Sequence, residues 1–150
     1  MPSPFSLTIA NLSQPEPNLL CSGMPTESEL AEAARQGIKT VINLCPLEET
    51  PPEEAEFVSR QGMTYVNIPI RGIQDLTRVQ AEQLSNALPP DTTDPVLIHC
   101  KSANRVGALL ALKRYWLDGL SLEEALEIGR KAGLTRLEPA VMHIMAQSAP

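Results

Sequence analysis

Aromatic residues are nearly missing from this chain. Two Phe, two Tyr and one Trp among 150 residues leave aliphatic side chains to fill the interior, and an apolar fraction of 43% suffices for one globular core. Basic residues are short as well: 12 Lys and Arg against 18 Asp and Glu give a formal net charge of -6. Such a field repels DNA and RNA, so no nucleic acid is expected as a partner. Cysteine is limited to Cys21, Cys45 and Cys100, an odd number without Cys-x-x-Cys spacing, which argues against a disulfide framework and against zinc. His99 and His143 lie far apart, with no carboxylate or cysteine beyond Cys100 at ligand spacing, so no metal is expected. No apolar run approaches the roughly 20 residues that span a bilayer. The N-terminal ten residues lack a basic stretch and a long apolar run. These absences point to a cytoplasmic protein with reduced thiols and no membrane partner. Repeats, low-complexity tracts and linkers are also missing. The expectation is one domain over residues 1–150, with residues 1–17 loosely held and the oligomeric state left open.

What is present alternates between strand and helix patterns. Lys39–Cys45 is β-rich and follows a helix over about 27–36, opened by a Thr26/Glu29 capping box and stopped by Gly37. Pro51 and Pro52 open a second helix that Gly62 ends. Thr64–Pro69 is a second strand, with Val66, Ile68 and Ile70 in alternation. Thr77 and Gln80 form another capping box, for a helix to about Leu88. Pro95–His99 is a third strand, followed by a helix that Gly119 stops. Ser121 with Glu124 caps the next helix, ended by Gly133, and a last helix covers about 137–146. Asn18–Cys21 is a candidate extra strand. Strands separated by helices imply crossovers and a mainly parallel sheet, which binds ligands at the carboxyl ends of its strands.

His99-Cys100-Lys101-Ser102-Ala103-Asn104-Arg105 stands at such an end. A cysteine between a buried strand and a helix sits where backbone N–H groups converge and the helix dipole is positive, which favours both a thiolate and a bound anion. That setting moves a thiol from its free value of about 8.5 toward roughly 3.5–7.5. Arg105 can close back over the same point and grip an oxyanion with its planar fork. Cys45 also ends a strand but has none of these companions and reads as inert core. His99, at a strand end, reads as a donor that orients the loop. The helix after the loop is apolar almost all round and should be central. Gly107 inside it is tolerable if it lets the helix pack closely on a strand.

This loop, the Val106-Gly-Ala-Leu109 that follows, Ser22-Gly-Met-Pro25 and Thr40-Val-Ile-Asn-Leu44 together resemble the bacterial dual-specificity-phosphatase-like domain. That domain is also found attached to some β-lactamase-like hydrolases, and the resemblance runs from about residue 19 to 144. It implies the cysteine phosphatase fold, an α/β domain with a four- to five-stranded, mostly parallel sheet flanked by helices. It also implies phosphate-monoester hydrolysis, with Cys100 forming a phosphocysteine and Arg105 clamping the phosphate. Backbone N–H groups from Lys101, Ser102, Ala103 and Asn104 to Arg105 would bind the remaining oxygens, and no cofactor is needed. Asp75 is by position the candidate proton donor; its other reading is support of a helix N-terminus. Arg71 on the same loop reads as exposed. The partner implied is a phosphorylated substrate or a small oxyanion.

Three positions depart from the resemblance. Four residues, not five, separate Cys100 from Arg105, a loop length shared with rhodanese-type sulfurtransferases. Ala103 stands where glycine is usual and costs on the order of 1 kcal/mol or more if φ is positive. Val106 replaces a hydroxyl residue that eases departure of the thiolate, so a phosphocysteine here is expected to hydrolyse slowly. The alternatives are a sulfurtransferase carrying a Cys100 persulfide and a non-catalytic oxyanion- or phosphoprotein-binding module.

Overall fold

The computed structural model describes residues 5–88 and 94–149. In chain order the elements are β1 (Ser13–Glu16), β2 (Leu19–Ser22), α1 (Glu27–Arg35), β3 (Thr40–Asn43), α2 (Glu54–Arg60), β4 (Thr64–Asn67), α3 (Arg78–Ala87), β5 (Val96–His99), α4 (Asn104–Leu117), α5 (Leu122–Ala132) and α6 (Glu138–Gln147). The five strands form one sheet in the order β1-β2-β5-β3-β4. Only β1 runs antiparallel; β2, β5, β3 and β4 are parallel, with Asn43 and Ser22 both level with His99. This is the α/β, mostly parallel architecture that the alternation of strands and helices implied.

Alternation along the buried strands splits the interior into two cores. Val96 and Ile98 of β5, Ile42 of β3 and Leu19 and Cys21 of β2 pack with α3, α4, α5 and α6. Leu97, Val41 and Leu20 face the other way, toward Leu30 and Ala33 of α1 and Val58 of α2. The α4 helix is the central one, as its sequence suggested: every residue from Val106 to Leu112 is buried. Leu109, Leu110 and Leu112 are 0% exposed, and burying each contributes about 1.5–3 kcal/mol. A side-chain N-cap is worth only about 1 kcal/mol. Burial therefore holds α4 in place, and its first turn does without a cap: Ala103 at the N-cap supplies no side-chain hydrogen bond.

Several details differ from the sequence reading. Part of the segment expected to be loosely held is ordered: Ile9 is buried and residues 13–16 form β1. Residues 1–4 of that segment lie outside the described residues. Capping boxes are present at Thr26/Glu29 and Ser121/Glu124. At α3 the box fails, because the Thr77 hydroxyl bonds the Gln80 side chain and no cap to the backbone forms. Gly107 serves helix–helix contact and not contact with a strand. A Cβ there would lie 2.3 Å from the backbone nitrogen of Leu134 and 2.6 Å from the carbonyl oxygen of Gly129. Among the described residues no helix is long and apolar enough to cross a membrane.

Candidate active site

The site forms where three parallel strands end side by side. Cys100 follows β5, the middle strand, and is 1% exposed. The segment after β2 lies directly against its loop. Gly23 bridges Ser102, and the Met24 N–H donates to the Lys101 carbonyl at 3.3 Å. A Cβ on Gly23 would stand 2.6 Å from that same carbonyl, which explains the glycine in Ser22-Gly-Met-Pro25.

Ala103 turns the chain from loop into α4 with φ 68° and ψ -6°, the left-handed region that an L side chain enters at a cost. Its carbonyl accepts the Gly107 N–H at 2.9 Å and starts the helix. The methyl group is 0% exposed, and Gly133 (φ 119°) opposite it is pressed so close that a Cβ there would lie 2.5 Å from Ala103 Cβ. Lys101 and Ser102 are exposed and Asn104 is buried. The Asn104 side chain turns away from the loop: Oδ1 accepts from the Thr135 N–H at 2.9 Å, the Thr135 hydroxyl at 3.2 Å and the Leu137 N–H at 3.3 Å. Any ligand contact by Asn104 is thus left to its backbone.

Arg105 is anchored on three sides. Nη2 donates to Glu49 Oε1 at 2.8 Å, and Nη1 donates to Glu49 Oε2 at 3.4 Å and to the Ile70 carbonyl at 2.8 Å. Cys45 Sγ lies 3.9 Å from Nη2. This bond to Arg105 holds the Glu49 carboxyl below the usual carboxylate range. Lys101 Nζ is 3.9 Å from the same carboxylate, and Arg71 pairs with Glu48 at 3.2 Å. Arg71 is exposed, as expected, and its guanidinium is given to that pair. Cys45 is buried core but adjoins Arg105; burial pushes its thiol up to about 12. Burial likewise pushes the Cys21 thiol up.

Asp75 does not cap α3, whose N-cap is Thr77. Its Oδ2 accepts the Arg71 N–H at 2.9 Å, in a turn over residues 73–75. The neighbouring carbonyl, that of Ile70, is the one Arg105 holds, so the Asp75 loop is tied to Arg105 through a single peptide unit. His99 is 0% exposed; Nε2 lies 2.8 Å from Glu54 Oε2 and Nδ1 3.4 Å from the Cys100 carbonyl oxygen. The ring is turned into the interior, toward Glu54 of α2.

Glu49, Glu54 and Asn43 were not singled out in the sequence. Asn43 carried a faint signal, a polar residue closing an apolar strand. Its Oδ1 accepts the Cys45 N–H at 2.9 Å, and its Nδ2 donates to the Tyr65 and Thr50 hydroxyls, each at 2.9 Å. Glu49 and Glu54 belong to an acidic run that reads as solvated surface until folding brings them under α4 and β5. Among the described residues no cluster of His, Cys, Asp and Glu could hold a metal ion.

Known proteins resemble this chain to differing degrees. The sequence matches the family described as beta-lactamase hydrolase-like protein, phosphatase-like domain, over residues 16–115. The beta-lactamase hydrolase-like protein of Xylella fastidiosa is 32% identical over 114 residues, which is 73% of this chain and 26% of that protein's length. The chain thus spans a minor part of that relative. Among solved structures, a DUF442 protein from Shewanella putrefaciens superposes with a TM-score of 0.71 at 26% identity, over 95% of each chain. The core catalytic domain of Siw14, a PP-IP phosphatase of S. cerevisiae, gives 0.69 at 22% identity, over 94% of this chain and 87% of its own. P. aeruginosa TpbA, solved with phosphotyrosine, gives 0.62 at 22% identity, over 89% of this chain and 81% of its own. At 22% identity the last two speak for a shared cysteine-phosphatase fold.

Proposed function

Because the chain belongs to the phosphatase-like domain family of beta-lactamase hydrolase-like proteins, we propose that it hydrolyses phosphate monoesters, with Cys100 as the nucleophile. The observation that carries this reading is the meeting of three groups. The Cys100 loop, the Arg105 guanidinium and the Asp75 loop converge at the carboxyl end of β5, joined through the Ile70 carbonyl. The first turn of α4, without a side-chain cap, supports the reading by leaving backbone N–H groups for an anion.

In the first step the Cys100 thiolate attacks phosphorus, an S–P bond forms and the P–O bond to the leaving group breaks. Asp75 gives its proton to the departing oxygen. In the second step water attacks phosphorus, Asp75 takes a proton from it, and the thiolate leaves. Val106 offers no hydroxyl to that thiolate, so the second step is the slow one. The substrate on this reading is a phosphorylated small molecule or side chain of the tyrosine or dual-specificity type.

One observation favours a second chemistry. Glu49 already neutralises Arg105 and approaches Lys101, and Glu48 pairs with Arg71. That leaves one unit of positive charge among the five groups, little for a phosphate dianion. It suits a resting persulfide: the Cys100 thiolate takes the outer sulfur of thiosulfate as sulfite leaves, and cyanide then takes that sulfur as thiocyanate and restores the thiolate.

Parallel assays with an aryl phosphate and with thiosulfate plus cyanide separate the two. As a phosphatase, Asp75→Asn should lower turnover roughly 10²-fold or more through lost proton donation. As a sulfurtransferase, Asp75→Asn should hardly matter, because sulfur transfer to cyanide has no leaving oxygen to protonate. Thiosulfate should then leave a stable gain of one sulfur on Cys100 by mass spectrometry. Turnover of thiosulfate with no action on aryl phosphates would overturn the first reading.

A further inference from the structure

Three cations, Arg71, Lys101 and Arg105, meet one short turn, Leu47–Glu49, that follows β3. Glu49 stands fork to fork with Arg105: Oε1 accepts from Nη2 at 2.8 Å and Oε2 from Nη1 at 3.4 Å. The same Oε1 lies 3.9 Å from Nζ of Lys101, and the neighbouring Glu48 pairs with Arg71 at 3.2 Å. Two carboxylate oxygens on a guanidinium are the arrangement that an incoming oxyanion would itself take. Glu49 is an internal anion on the group that the proposed reaction needs for the external one.

The turn is built to hold it there. The Pro46 carbonyl accepts from the Glu49 N–H at 3.0 Å and from the Thr50 hydroxyl at 2.9 Å, and that hydroxyl accepts from Asn43 Nδ2 at 2.9 Å. Asn43 is 0% exposed and closes β3 level with His99, on the strand that leads to Cys100. The side chains of Arg105 and Glu49 are 16% and 27% exposed, so water and salt screen their charges only in part. The Arg71–Glu48 pair is more than half exposed at both ends and counts for less.

Charge then decides what the loop accepts. Attraction to the site grows in proportion to an anion's charge, whereas the cost of stripping water from that anion grows with its square. Around the loop the balance is one positive charge with Glu49 ionised and two without it. Arg105 holds the Glu49 carboxyl below the usual carboxylate range, so at neutral pH the smaller balance applies.

We propose that Glu49 is a specificity-determining residue: by answering Arg105 and Lys101 from within, it fits the Cys100 loop to oxyanions that carry a single negative charge. This rests on Cys100 and Arg105 forming the anion site of the proposed reaction and not on which chemistry follows. A phosphate monoester loses its second proton at about pH 6, so the form taken at neutral pH is the less abundant one.

The test uses methanesulfonate and methylphosphonate, ions of the same shape without a leaving group. In alkaline buffer the first carries one charge and the second two. Each is titrated at constant ionic strength against iodoacetamide alkylation of Cys100, followed by mass spectrometry on the full chain. Wild type should be protected by the sulfonate at a concentration equal to or below that of the phosphonate. Glu49→Gln keeps the shape and an acceptor for Arg105, so only the charge is lost. In that variant the ratio of the two half-protecting concentrations should move about tenfold toward the phosphonate. The ratio cancels any change in the reactivity of the thiol itself. A folded Glu49→Gln protein with the wild-type ratio would reduce Glu49 to an anchor for Arg105 and overturn the proposal. If the variant does not fold, the wild-type order decides, and protection by the phosphonate at the lower concentration overturns it. Because neither ion can react, a wrong choice between phosphate and sulfur chemistry leaves this result standing. Protection by neither ion removes the anion site assigned to Cys100 and Arg105, and the proposal with it.

Discussion

Ala103 shows what this loop asks of a single residue. Its left-handed backbone costs an L side chain about 1–2 kcal/mol, yet the methyl group is fully buried against Gly133. The cost is met by packing, and the turn it makes starts the helix that carries Arg105 to Glu49 and the Ile70 carbonyl. At the same scale the three thiols divide. Cys21 and Cys45 are both raised by burial, the latter to about 12, and hold their protons across the physiological range. Iodoacetamide should therefore modify Cys100 first, with protection by phosphate, sulfate or vanadate; equal labelling of all three, indifferent to anions, contradicts this. Arg105→Lys should keep the fold and weaken vanadate binding about 10- to 100-fold, since charge-assisted bonds worth ~1.5–3 kcal/mol depend on the guanidinium plane. Unchanged vanadate affinity by isothermal titration would remove Arg105 from the clamp.

At the scale of elements, α4 is placed by its neighbours more than by its own sequence signals. Gly107 lets it approach α5 and the turn at Leu134 to backbone contact. Helix propensity alone predicts that Gly107→Ala stabilises by about 1 kcal/mol. Close packing predicts the reverse, because the new methyl would overlap the backbone of residues 129 and 134. Overpacking of this kind costs typically 1–3 kcal/mol or more, so packing wins. Thermal unfolding of Gly107→Ala should show Tm lowered by roughly 5 °C; a raised Tm would mean the two helices can slide apart freely. The same contact fixes the site, since Asn104 at the start of α4 is tied to residues 135 and 137 beyond α5.

At the scale of the whole molecule, acid should unfold this protein through its paired carboxylates. Arg105 holds the carboxyl of Glu49 below the ordinary value of 4.5. Hydrogen bonds from Gln36, Ser121 and Arg130 do the same for Glu32, Glu124 and Glu138, respectively. The unfolded chain then binds more protons than the native one just below the ordinary carboxylate range. Stability is therefore fully present above that range and falls as pH drops through the native values. The last three groups are exposed and screened, so they add little. Glu49, at the site, is the one that should register. Melting temperature should decline below about pH 4.5 in wild type and less steeply in Glu49→Gln; equal slopes would show that the Glu49–Arg105 pair adds nothing to the fold.

Strand and helix periods, glycine stops and two of the three capping boxes were legible in the sequence because each depends on residues at most a few positions apart. The Cys100 loop stood out for the same reason: cysteine, turn and arginine are contiguous. The third box failed because the Gln80 side chain offered the Thr77 hydroxyl a competing partner. The sheet order, the partner of Gly107 and the ordering of residues 9–16 were settled only when distant segments packed. So were the residues that surround Cys100. Arg105 meets Glu49 across 56 positions and His99 meets Glu54 across 45. Nothing local marks either glutamate among its acidic neighbours. Local chemistry singled out the Cys100 loop; the charges around it come from parallel strands that end together, a property of the tertiary fold alone.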